Sequence, residues 1–147
     1  MRISTRGRYG LAALTLMAMS PDTGEAITVI SIANKLGISK IYLEQVFSLL
    51  KRAGIVTAIK GAQGGYRLSA SPSSVTVLEI FEALEQSLFE HAEDSVSESA
   101  QEIEQAMQSL VFAPLDRAAR ESLAATTLDA LAQEAHNRKN GSYMFYI

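Results

Sequence analysis

Between Gly37 and Tyr66 the chain reads GISKIYLEQVFSLLKRAGIVTAIKGAQGGY, and few folds accommodate that order of signals. Ser39 is a natural N-cap and Gly54 falls where a helix stops, which predicts one helix from Lys40 to Ala53. Leu43, Val46, Phe47 and Leu50 recur at i, i+3, i+4 and i+7, so they share one buried face. The opposite face carries Ile41, Glu44, Gln45, Ser48 and Arg52, flanked by Lys40 and Lys51. Ile55 to Lys60 is β-branched and extended, Gly61-Ala62-Gln63-Gly64-Gly65 is a turn, and Tyr66-Arg67-Leu68 returns. A polar-faced helix followed at once by a basic, glycine-tipped hairpin predicts a winged helix. Its helix would suit the DNA major groove, and its wing the phosphate backbone or minor groove. The alternative is a face turned only to solvent. Ile41 fits that poorly, because an apolar side chain there suits a thymine methyl better than water.

The flanking sequence supplies the rest of such a domain. Ser4 or Thr5 opens a helix running to about Ser20, where Pro21-Asp22-Thr23-Gly24 breaks it. Arg2, Arg6 and Arg8 gather at its start, where positive charge opposes the helix dipole. Phosphate contact and solvated surface charge are the two readings of these arginines. Thr28 begins a second helix with Val29, Ile32, Ala33 and Leu36 inward, and Gly37 turns it into the next, a helix-turn-helix. After the hairpin, Thr76 and Glu79 form a capping box ahead of the stripe Val77, Ile80, Phe81 and Leu84.

Composition then shifts. Residues 85–99 are acidic and serine-rich and read as a linker or mobile loop. Ser99 and Glu102 are placed to cap a helix carrying Ile103, Met107 and Leu110. Pro114 belongs in the first turn of a new helix, roughly Leu115 to Ala125, whose Leu115, Ala119 and Leu123 are available for close helix packing. Thr127 caps a last short helix from Leu128 to Ala135, residues 136–142 are polar and irregular, and Tyr143 to Ile147 is the most aromatic stretch.

Charge divides the chain the same way. Residues 1–70 carry 9 Lys/Arg against 3 Asp/Glu, and residues 71–147 carry 4 against 13. A basic front half and an acidic rear half fit a nucleic-acid-binding domain followed by a dimerisation or effector segment. The 147 residues include no cysteine, which excludes disulfides and thiolate-held metal clusters. No apolar run approaches the ~20 residues of a membrane span. The start lacks a signal-peptide core, so a cytoplasmic location without membrane association is expected. His91 and His136 sit in polar surroundings without a nucleophile or ligand set, and the glycines at 61, 64 and 65 lack the Lys-Ser/Thr pair of a phosphate loop. No enzyme and no cofactor are expected. The expected fold is mainly α (α+β). Residues 1–85 form the winged helix-turn-helix domain, 86–113 an acidic linker or effector segment, and 114–147 a dimerisation helix and tail.

The segments MRISTRGRYGLAAL, GISKIYLEQVFSLLKRAGIV, KGAQGGYRLS, VTVLEIFEALE and ATTLDALA resemble the Rrf2 family of bacterial winged-helix regulators, closely over residues 1–85 and more loosely over 114–135. The resemblance implies a homodimer held by a long C-terminal helix and bound to pseudo-palindromic double-stranded DNA. Recognition contacts then fall on Ser39, Ile41, Tyr42, Glu44 and Gln45, and the wing-tip contact on Lys60 with Gly61, Gly64 and Gly65. Arg2, Arg8, Lys51, Arg52 and Tyr66 complete the expected DNA-binding set. Leu115, Ala119, Leu123 and Leu128 are the expected dimerisation residues. Many members hold an iron–sulfur cluster through three cysteines, all absent here. The ending SYMFYI and the ATTLDALA segment resemble the branch that represses cysteine metabolism, which carries no cluster and whose implied co-repressor is cysteine synthase. That implies partner binding by Tyr143, Met144, Phe145, Tyr146 and Ile147, with the Ile147 carboxylate captured in the enzyme's substrate pocket. Folding back against the protein's own dimer is the other reading of this tail. A regulator with a different effector, and an interaction module that no longer touches DNA, are the alternatives for the whole chain.

Overall fold

The computed structural model describes residues 2–21 and 24–144. Helix α1 spans Thr5–Met19, with Ser4 as N-cap accepting from the Gly7 N–H. Helix α2, Val29–Leu36, starts on a Thr28 cap and ends at a left-handed Gly37. Helix α3 is Lys40–Arg52. Strands β1 (Val56–Ile59) and β2 (Gly65–Leu68) pair antiparallel, Val56 opposite Leu68 and Ile59 opposite Gly65. Helix α4, Val77–Leu84, opens with both hydrogen bonds of the Thr76/Glu79 capping box. A largely helical fold with a two-stranded antiparallel hairpin is the expected winged helix-turn-helix.

The core sits where the apolar spacing places it. Leu43, Val46, Phe47 and Leu50 of α3 are fully enclosed, against Ala13 and Leu14 of α1, Ile32 of α2 and Ile80 and Leu84 of α4. Burying each of the large side chains contributes about 1.5–3 kcal/mol. This core fixes the roll of α3, and so decides which side chains face outward.

The rear half departs from expectation in three respects. Residues 85–97 are irregular, and helix resumes near the expected place, with a short turn over Glu98–Ala100 and α5 over Gln101–Met107, but α5 has Ala100 at its N-cap and no side-chain cap from Ser99. Helix α5 then runs through a π-helical turn, Gln108–Phe112, into α6, Ala113–Ala124. Pro114 lies in the first turn of α6 as anticipated, yet the helix does not break before it. Proline cannot donate to the carbonyl four residues back and its ring crowds that carbonyl. The wider turn absorbs the mismatch, the Ala113 N–H donating to the Gln108 carbonyl.

The second departure is Leu128. Expected at a dimer seam, it is 0% exposed and belongs to the protomer's own core. The Val77 N–H donates to the Thr126 carbonyl (2.9 Å) and the Leu128 N–H to the Val75 carbonyl (3.0 Å), which ties this segment to the entry of α4. The third is helix α7, which begins at Leu128 and continues to Met144, packed on α1, where residues 136–142 were expected to be irregular. Polar side chains there mark exposure rather than a change of backbone. Nothing before Gly141 breaks a helix, and the Arg138 guanidinium pairs with Glu134 one turn back at 2.7 Å.

Candidate nucleic-acid interface

With Leu43, Val46, Phe47 and Leu50 inward, Ile41, Glu44, Gln45, Ser48 and Arg52 of α3 are all exposed. Ile41 is 71% exposed, an apolar side chain offered to the outside by a helix that has already buried its apolar stripe. Ser39 caps α3 by accepting from the Tyr42 N–H at 3.4 Å. Tyr42 is half-buried, its ring edge-on to Tyr9 at 5.3 Å, so α1 braces the first turn of α3. Lys40 and Glu44 face each other across one turn at 3.4 Å, both largely exposed. Such a pair adds little to stability. Lys51 and Arg52 close the helix, both exposed and both favourable beside its C-terminal carbonyls.

The wing stands next to this helix. Lys60 is exposed at its tip, followed by Gly61, which turns the backbone with φ +108°. The base of the wing is held by a contact absent from the sequence reading. Ile27, just ahead of α2, exchanges two backbone hydrogen bonds with Tyr66, each 2.8 Å. Gly65, at φ +146°, has its Cα against the Ile27 carbonyl, and a Cβ there would lie 2.4 Å from that oxygen. Gly64 is similarly confined by the Ile59 carbonyl. Gly64 and Gly65 therefore shape the wing whatever they touch. Tyr66 stacks its ring on Phe47 at 4.8 Å, so its ring joins wing to core rather than standing free. Ile27 gave no sequence signal because a single bridging residue has no periodicity.

At the start of α1, Arg2 and Arg8 are exposed. Arg6 is set apart from them. Its Nε donates to the Leu84 carbonyl at 2.7 Å, capping the end of α4. Of the expected dimerisation residues, Leu115 is 59% exposed, while Ala119 and Leu123 are half-buried and Leu123 packs on the protomer core. Of the tail, Phe145, Tyr146 and Ile147 lie outside the described residues, and Tyr143 and Met144 fall in the last turn of α7. Among the described residues no helix is long and apolar enough to cross a membrane.

A helix-turn-helix with a cation-tipped wing is the geometry of a DNA-binding regulator, and comparison with known proteins agrees. A family model described as Rrf2, iron-dependent transcriptional regulator, matches residues 3–134. The chain belongs to the Rrf2 family of transcriptional regulators. Over its full 147 residues, and the full length of the relative, it is 37% identical to the HTH-type transcriptional regulator CymR of Bacillus subtilis. The match to the regulator IscR of Cereibacter sphaeroides, 40% identical, covers 60% of this chain and only 57% of that protein. The solved structure of CymR, the global cysteine regulator of B. subtilis, superposes with a TM-score of 0.75 at 33% identity, covering 91% of this chain and 98% of that one. T. potens IscR superposes with a TM-score of 0.72 at 30% identity, covering 92% and 88%.

The iron in the family description does not fit the donors present. The chain has no cysteine, and among the described residues no three His, Asp or Glu side chains converge to hold a metal.

Proposed function

We propose that this protein is a homodimeric repressor that reads a pseudo-palindromic operator through α3 and the wing, and that its genes serve cysteine or sulfur metabolism. The observation that carries the reading is the outward face of α3, with Ile41, Glu44 and Gln45 exposed beside a Lys60-tipped wing. Base edges are read by side chains of this kind. Gln pairs with adenine, a carboxylate accepts from cytosine N4, and an apolar group meets the thymine methyl. Arg2, Arg8, Lys51, Arg52 and Lys60 supply the phosphate contacts around them.

A two-fold operator calls for a two-fold protein. The seam favoured by the exposed surface is the helical run 101–124. There Ile103, Leu110, Val111, Phe112 and Leu115 lie open to solvent, Leu110 at 78%. The link to cysteine metabolism rests on the full-length likeness to CymR. A protein co-repressor, cysteine synthase, engaging the segment 143–147, goes with that likeness. The test is to sequence the genomic DNA retained by the purified protein and to titrate the protein with cysteine synthase by calorimetry. Recovery of one inverted-repeat motif upstream of sulfur genes supports the reading, and DNA without a shared motif refutes it. Absence of heat on titration removes the enzyme partner alone.

A further inference from the structure

We infer that Glu85 is a positioning residue for DNA binding, because its carboxylate seats the arginine-bearing start of α1. This rests on the DNA-binding reading above and extends it to a residue outside α3 and the wing. Glu85 is the C-cap of α4. Its Oε1 accepts from the Ser4 N–H at 3.0 Å and from the Ser4 hydroxyl at 2.7 Å. The same hydroxyl accepts from the Gly7 N–H at 3.0 Å, so its proton is committed to Glu85 and its lone pair to the helix.

Helix α1 has no acidic residue in its first turn, while Arg2, Arg6 and Arg8 crowd its positive end. The charge that balances this end comes from 81 positions away in sequence. The exchange is mutual, since Arg6 returns a guanidinium to the Leu84 carbonyl at the negative end of α4. Two glycines on α1 permit the approach. A Cβ at Gly7 would collide with Glu85 Oε1, and one at Gly10 with Leu84 Cδ1.

The division of labour among the arginines follows. Arg6 is held by α4, and Arg2 and Arg8 have no ion pair among the described residues and remain exposed. Arg2 lies two residues before the clamped Ser4, and the Arg8 N–H donates to the Ser4 carbonyl at 3.0 Å. Seating Ser4 therefore seats both free cations. Unseated, they forgo those phosphate contacts, because ordering a mobile arm costs more than an exposed contact returns.

The test is the salt dependence of operator binding by the full chain, using an operator recovered from its own genome. Glu85→Ala should reduce the slope of log affinity against log salt by about 1.8 per protomer, two phosphate contacts at ~0.9 each. Base preference in a randomised library should be unchanged. Gly7→Ala should do the same by a different route. Its Cβ displaces the carboxylate and crowds Ile3, and denaturant unfolding of both variants, expected to stay cooperative with the fold retained, separates this from loss of fold. Combining Glu85→Ala with Arg2→Ala and Arg8→Ala should add no further change in slope over the arginine pair alone. An unchanged slope in Glu85→Ala and Gly7→Ala, or full additivity with the arginine changes, overturns the role of Glu85 and leaves the DNA-binding reading intact. Failure of the wild-type protein to bind any DNA overturns both.

Discussion

The winged-helix body and the helical run 101–124 dispose of their apolar residues in opposite ways. In the body, the stripes of α1 to α4 meet one another, and their large side chains are enclosed. Along 101–124 no hydrophobic residue is buried, and the one buried side chain is Glu104, which accepts from the Ser95 N–H at 2.9 Å. Five large apolar residues of this run face solvent instead. Apart from Leu123, which packs on the core, its inner side is held largely by polar and charged contacts. Arg120 pairs with Asp116 at 3.0 Å, reaches Glu82 of α4 at 3.5 Å and lies 4.1 Å over the Phe89 ring. The body is complete within one chain, whereas the long helical run leaves large apolar side chains exposed, the kind of surface that marks an interaction site.

That contrast can be broken from either side. Phe47→Ala should cost about 3–5 kcal/mol of protomer stability and abolish DNA binding, because Phe47 is fully enclosed and also carries the Tyr66 ring at the base of the wing. Denaturant unfolding should show the loss at every protein concentration. Leu110→Glu should leave the protomer folded, since the side chain is exposed there, and should weaken self-association by about 3 kcal/mol, over a hundredfold. Sedimentation equilibrium that still shows an intact dimer for this variant would move the seam off residues 101–115.

Smaller effects sharpen the picture of the DNA face. Glu44→Ala should lower discrimination at one base pair per half-site by ~1–3 kcal/mol. It also frees Lys40 from its ion pair, so non-specific affinity should hold or rise while specificity falls. An unaltered base preference across a randomised operator library would reduce Glu44 to a solvated partner of Lys40. Lys60→Ala, the mildest, should reduce the salt slope by ~0.9 per protomer without altering sequence preference. An unaltered slope would take the wing tip off the DNA.

The opening residues of α1 show where local pattern stops informing. All three arginines carry the same charge and lie within seven residues, yet Arg6 is spent on Leu84 while Arg2 and Arg8 stay exposed. Ser4 was legible as a cap, but not as a ligand of Glu85. Tyr66, expected in the DNA-binding set, has its ring on Phe47. Residues 136–142 read as irregular in sequence because they are polar, but polarity reports exposure and helix α7 continues through them.

The sequence by itself determined the helices of the body, their caps, the wing and the face that α3 buries. Each of these depends on residues within about one or two turns of one another, through side-chain spacing, N-cap chemistry and the conformational freedom of glycine. Tertiary structure alone decided which arginine is free, what anchors the wing, and that Leu128 belongs to the core rather than to a seam. Those outcomes turn on partners 19 to 81 positions away, such as Phe47 for Tyr66, Ile27 for Gly65, Val75 for Leu128 and Glu85 for Ser4. No local period records which distant group a side chain will meet, because that choice is made by packing the whole chain at once.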